Sequence, residues 1–273
     1  MLGQYLITFR EVLEAALIIS IVLAYLSRTG RKSLSHYVWY GVIIATSASA
    51  IFGVSIWLVY GTLPKSIQVL FEGVAALIAV AVLSSMIYWM ATKGKELKSE
   101  VEKRVEAIAS HGAILGLVSF SFIAVFREGL ETVLFLTPFL VTDTLATLAG
   151  LFLGILTSLA LAYILFTVGM KINIRRFFYF TSILLVLLAG GLVGYGVHEL
   201  IEYTGPQAWG LLGQPAYNLN ISADSPLHHK GAVGSIFAVM FGYTVAAEWA
   251  RVIVHLSYLS LALPLIIWVY KKR

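Results

Sequence analysis

The sequence predicts an all-α polytopic membrane protein: seven transmembrane helices built as an inverted 3+3 repeat plus one. Three observations carry that expectation. Of 273 residues, 59% are hydrophobic and 12% charged, against about 25% charge in a soluble domain, so nearly the whole length is available for spanning. Apolar runs of spanning length, roughly 20 residues, recur between short connections. One charged hexapeptide occurs twice, inside the first run and again inside the fourth.

The runs lie at about 3–27, 35–60, 66–91, 117–140, 143–169, 177–198 and 245–270. The N-terminus lacks a basic n-region, and Arg10, Glu11 and Glu14 interrupt the apolar core a leader needs, so Met1 is expected to begin the first span. Most connections are brief, as at Arg28 to Lys32, Thr62 to Lys65, Thr142-Asp143 and Lys171 to Arg176. Two are longer. Thr92 to His111 interleaves Lys and Glu and predicts a solvated helix, whereas Glu199 to Lys230 carries Pro, Gly, Trp209 and His228-His229. The chain thus reads as a single transmembrane domain over 1–273. Repeat one covers about 1–91, a cytoplasmic helical linker 92–111, repeat two about 112–198, an external loop 199–230 and a last span about 245–270.

Orientation follows from the basic residues. The first, third and fifth connections and the C-terminal tail hold 14 Lys and Arg, the opposite side only Lys65 and Lys230. The positive-inside rule then places the N-terminus outside and the C-terminus in the cytoplasm of a multi-pass cell-membrane protein. The net charge of +5 is therefore a topology signal, and no nucleic-acid partner is expected. With no cysteine, any metal must be held by oxygen or imidazole.

Phe9-Arg10-Glu11-Val12-Leu13-Glu14 returns 117 residues later as Phe126-Arg127-Glu128-Gly129-Leu130-Glu131, with Leu17 matching Leu134. On a helix the arginine and the second glutamate are i and i+4, and the two glutamates i and i+3, so the three heads share a face. Each charge at mid-bilayer costs roughly 2.5–3.5 kcal/mol and is read by default as functional. Three spans separate the motifs, so they run in opposite directions, the arrangement that sets a transporter's site at mid-depth. Four carboxylates and two guanidiniums leave a formal charge of −2, which a hard cation would balance; the arginines would hold the carboxylates when it is absent. The structural alternative is a buried ion-pair network that fixes helix register.

Other candidates are weaker. His198-Glu199-Leu200-Ile201-Glu202 closes the sixth run, with Glu199 and Glu202 on one helix face able to receive a cation and His198 nearby. Glu72, near the outer end of the third run, reads as a pathway residue whose neighbour Gly73 repeats as Gly190. Glu248 and Arg251 are i, i+3 and can pair with each other, which leaves Glu248 either structural or on the pathway. His228-His229 points two ways on regular structure. The glycines at 150, 154, 190, 191, 194 and 196 suit close helix packing. Hydrolase and P-loop signatures are absent.

The paired F-R-E-x-L-E and F-R-E-G-L-E sequences resemble the R-E-x-x-E motifs of the oxidase-dependent iron permease (iron/lead transporter) family. The likeness covers nearly the full chain. It extends to Phe71-Glu72-Gly73, Ser85-Met86, the acidic pair Glu199 and Glu202, and the Gly242-Tyr243 and Glu248 region, although Val12 stands where the second motif has the family's Gly129. The resemblance implies a permease, not an enzyme, importing Fe3+ or Fe2+. It implies Glu11, Glu14, Glu128 and Glu131 as the metal ligands, supported by Arg10 and Arg127. Iron is then the transported substrate, with no organic cofactor; membrane lipid surrounds the chain, and an oxidase or a periplasmic or extracellular iron-delivery protein is the type of partner to seek. Three rivals stay open: a transporter of another divalent metal, a proton-coupled cation transporter, and an intramembrane di-metal carboxylate enzyme, although the E-x-x-H pattern of the last is missing.

Overall fold

A computed structural model describes residues 1–94, 96–110, 114–165, 174–222, 224–229, 231 and 233–272. Nine α-helices follow in order among the described residues: α1 (Leu2–Arg28), α2 (Ser35–Thr62), α3 (Lys65–Lys93), α4 (Leu97–Ser110), α5 (Ile114–Thr142), α6 (Thr144–Tyr163), α7 (Ile174–Thr204), α8 (Gly234–Phe241) and α9 (Trp249–Lys272). Their ends carry the expected signals. Pro64 stands just ahead of α3, where its missing N–H is no loss, and Asp143 caps α6 by accepting from Ala146 N at 3.0 Å.

Among the described residues, five segments are long and apolar enough to cross a membrane: Lys32–Thr62, Lys65–Thr92, Thr144–Tyr163, Phe178–Thr204 and Trp249–Lys272. Helices α1 and α5, of 27 and 29 residues, are as long, but each holds the three charges of one motif in mid-run. Ile43, Ile44, Ile51, Phe52, Val54 and Trp57 of α2 are exposed, a lipid-facing surface that water would not tolerate. The protein is an all-α, multi-pass membrane protein.

Two boundaries differ from the sequence expectation. Helix α7 runs unbroken to Thr204, past the expected span end at 198, so the expected helix face of Glu199 and Glu202 lies within it and the loop expected from 199 starts later. The last long helix begins at Trp249 rather than near 245, because Ala246–Glu248 (β2) pairs antiparallel with Pro215–Asn218 (β1). The short apolar helix α8, unforeseen in the sequence, lies between them. The expected end of the fifth span, at 169, falls outside the described residues.

The most extensive packing joins α2 with α5, α1 with α6 and α3 with α7, and α9 leans on α7. Small residues permit the first two. Gly41 faces Ser121 and Phe122 of α5; Gly150 faces Gln4 and Tyr5, and Gly154 faces Thr8 and Phe9, of α1. A Cβ at Gly150 or Gly154 would stand 2.8 or 2.7 Å from a neighbouring Cβ, so only glycine lets these helices approach so closely. The two interfaces share one register. Val38, Gly41, Ala45 and Ser49 are buried on α2, and Thr147, Gly150, Gly154 and Ser158 on α6. Across α3, α5, α7 and α9 the apolar core gathers around Leu83, Ile87, Phe135, Leu185 and Ala189.

A candidate metal centre between helices α1 and α5

Helical spacing puts each motif's charges on one face, and the packing of α1 against α5 turns the two faces together. Oxygens of Glu11, Glu128 and Glu131 lie within 4.8 Å of one another. Gly129 makes room for this on the far side of α5, where an added Cβ would run into Ser49 of α2. Arg10 is 1% exposed and Glu11 0%. Arg10 Nη1 donates to Glu11 Oε1 at 2.7 Å and meets Met86 Sδ at 2.8 Å. Arg10 Nη2 stands 2.8 Å from Glu14 Oε1 without the alignment of a hydrogen bond. Glu14 thus rests on its own arginine, while Glu11 reaches across to the second motif.

The second motif is more open. Arg127 Nε donates to Glu131 Oε1 at 2.8 Å and stands 3.9 Å from Glu128 Oε1, yet its side chain is 48% exposed. Its guanidinium lies 5.3 Å from the ring centre of Trp89. Ala81, Ser85, Met86 and Trp89 of α3 line, with Arg127 and Glu131, a groove of about 490 Å³. Glu11 Oε2, Glu128 Oε2 and Glu131 Oε2 are buried without a hydrogen-bond partner. Unpartnered buried carboxylate oxygens are costly, and a hard cation among them would meet the charge excess with oxygen ligands.

A second group lies near the C-terminal end of α7. His198, Glu199 and Glu202 each offer a ligand atom within 4.8 Å of the others; Glu199 is buried and Glu202 exposed. Glu248 does not pair with Arg251, the partner its spacing offers: it meets His198 Nδ1 at 2.9 Å. A carboxylate on one ring nitrogen orients the other toward a metal. Glu72 accepts from Tyr60 at 2.5 Å and from Tyr195, tying α2, α3 and α7 together beside Gly73, whose missing Cβ admits Glu199. The sequence reading missed both tyrosines. Tyr195 stands four residues before Glu199 and so shares its helix face, a usable signal; Tyr60 offered none. The rings of His228 and His229 lie tilted against each other, their centres 4.1 Å apart.

Comparison with known proteins agrees with this architecture. A ferrous iron permease EfeU of Yersinia pestis is 33% identical over 268 residues, covering 97% of this chain and 93% of the relative. A ferrous iron permease EfeU of Escherichia coli O6:H1 is 33% identical over 266 residues, covering 96% of this chain and 94% of the relative. An uncharacterized protein of Archaeoglobus fulgidus is 43% identical over 267 residues, covering 97% and 94%. No solved structure matches the chain. The model of the iron permease FTR1 family matches residues 1–268, and the chain belongs to that family.

Proposed function

We propose that this protein imports iron through a carboxylate site at mid-membrane, formed by Glu11, Glu128 and Glu131 with Glu14 as a fourth ligand. The observation that carries the reading is the meeting of two sequence-identical charge sets, each with a buried carboxylate oxygen that lacks a partner. The relatives named ferrous iron permeases support Fe2+ as the ion presented. The enzyme rival fails because the family is one of permeases.

Seven spans serve this reading, with α1 and α5 crossing despite their charges. The match of interfaces supports the inverted repeat. Exchanging α1 with α5 and α2 with α6 turns the α1–α6 contact into the α2–α5 contact, and the buried positions of α2 and α6 keep one spacing, 109 residues apart. The basic connections support an outer N-terminus.

The ion is collected outside by His198, Glu199 and Glu202, with Glu248 orienting the imidazole. The exposed carboxylate of Glu202, beside the buried one of Glu199, puts negative charge at the pathway mouth and raises local cation concentration. The ion passes Glu72, held in reserve by Tyr60 and Tyr195, and loses its water to the central carboxylates. Arg10 and Arg127 neutralise those carboxylates and hold them in place between ions, since four unshielded anions would repel one another. Release follows the groove beside Glu131, Ser85 and Trp89, on the half of α3 nearer the basic linker.

Uptake of radioactive Fe2+ into proteoliposomes tests the proposal. Glu11→Gln with Glu128→Gln should abolish uptake at every iron concentration while the protein still purifies folded. Glu199→Ala with Glu202→Ala should raise the concentration for half-maximal uptake and leave the maximal rate largely intact. Wild-type uptake in the central double variant would overturn the permeation site. An outer variant that is inactive even at saturating iron would make Glu199 and Glu202 obligatory ligands.

A further inference from the structure

Arg251, two residues into α9, is a half-buried cation that makes no hydrogen bond or ion pair among the described residues, and it lines a cavity of about 570 Å³. Glu248, the anion its helical spacing offers, turns away to His198. The Arg251 side chain lies flat on α7 at Gly194, where an added Cβ would be 3.4 Å from Cγ and 3.8 Å from Nε. Beside it the cavity wall is aromatic and apolar, from Tyr217, Phe237, Tyr243 and His255. His255 Nδ1 donates to Gly190 O at 2.7 Å and Tyr243 Oη donates to Leu227 O at 3.1 Å, so neither supplies a negative charge to the guanidinium. Glu248 and Glu199 attract the guanidinium only through space, without an ion pair or a hydrogen bond to it, so the N–H donors of this partly desolvated arginine are left for an anion from outside the chain.

The mouth of the cavity shows which anion. Phe237 and Phe241 of α8 and Leu256 of α9 line it and are exposed. Leu256 also belongs to an exposed apolar stripe of α9 that continues through Trp249, Ile253, Leu261, Leu265 and Trp268, the spacing of one helix face turned to lipid. A soluble anion would gain nothing from that stripe, whereas an acyl chain would lie along it. We propose that Arg251 and this cavity bind the phosphate of an anionic phospholipid, its glycerol end between α8 and α9 and one chain on the α9 stripe. Arginine grips phosphate with two parallel N–H bonds, and basic pockets between membrane helices recognise lipid headgroups in this way. A zwitterionic headgroup would bring its own cation toward the guanidinium, so a net negative lipid is preferred. The proposal does not depend on the iron pathway.

Two measurements on the full-length protein test it. In native mass spectrometry, protein offered equal phosphatidylglycerol and phosphatidylcholine of the same chains should retain phosphatidylglycerol at least several-fold more often, a preference needing no variant. In detergent, phosphatidylglycerol should raise the midpoint of thermal unfolding by roughly 5 °C. Arg251→Gln should lose most of that shift and Arg251→Lys should keep part of it. Inorganic phosphate should shift no form. Equal retention of the two lipids, or the same shift in wild type and Arg251→Gln, would overturn the proposal. An equal response to inorganic phosphate would identify a soluble-anion site and overturn the lipid as occupant.

Discussion

The two charged motifs match at five of six positions yet sit in different surroundings. In the first, Arg10 and Glu11 are sealed, and Met86 closes over the guanidinium. In the second, Arg127 is about half exposed beside Trp89, and Glu131 borders the groove lined by Ala81, Ser85 and Met86. The same residues thus form a closed wall on α1 and an open one on α5. Helix α3 makes the difference: its Met86 plugs one motif while its small residues at 81 and 85 leave a path to the other. Duplication in the sequence sets which charges meet; packing sets which of them border an open groove.

Removing the arginines should break that comparison most sharply. Arg10→Gln leaves Glu11 and Glu14 buried without their cation and should destabilise the protein by about 3–5 kcal/mol. Arg127→Gln, where the guanidinium is half exposed and screened by water, should cost less, about 1 kcal/mol. Chemical denaturation in a fixed detergent checks both, and equal losses would mean that the two environments do not differ.

The next effect concerns the one mismatched position, Val12 against Gly129. Gly129→Ala drives a methyl group into Ser49 and should destabilise by about 1–3 kcal/mol, as overpacking does. Adding Ser49→Gly should restore most of the loss. A Gly129→Ala protein as stable as wild type would show that α5 can draw back from α2 without harm.

Smaller still is the contribution of Trp89. Its cation–π contact with Arg127 at a half-exposed site amounts to about 0.5–1 kcal/mol, so Trp89→Leu should change stability by no more than that. Accessibility separates the motifs without any energy. In this cysteine-free chain, Ser85→Cys should react with a water-soluble thiol reagent, and Ile7→Cys, fully buried beside the first motif, should not.

Much of this was legible in sequence because helices in lipid obey strong local rules. Run length and charge exclusion put long helices close to where they stand, and i, i+3, i+4 spacing set each motif's charges on one face. The meeting of Glu11 with Glu128 and Glu131 followed from repetition and charge balance. What sequence could not give depends on contacts distant along the chain. Glu14 and Glu131 occupy equivalent places, yet one rests on its buried arginine and the other edges a groove, which α3 decides. Glu72 finds Tyr195 across 123 residues, and no periodicity predicts that pair. Glu248 and Arg251 had the spacing to bond, but the β2 strand ahead of α9 turns Glu248 to His198. The short helix α8 went unforeseen because the seven residues between Gly234 and Gly242, six of them apolar, are too few to show a helical period.

The central claim is that two motifs make one site, and a double-mutant cycle on iron affinity tests it most directly. Equilibrium Fe2+ binding would be measured for wild type, Glu11→Gln, Glu128→Gln and the double variant. All four would carry His198→Ala and Glu202→Gln, which silence the α7 cluster. A shared site predicts about one iron per chain, a weakening of at least tenfold in each single variant, about 1.4 kcal/mol, and a double variant far less weakened than the product of the two. Losses that multiply, with two irons bound per chain, would mean that α1 and α5 hold separate sites and would contradict the account.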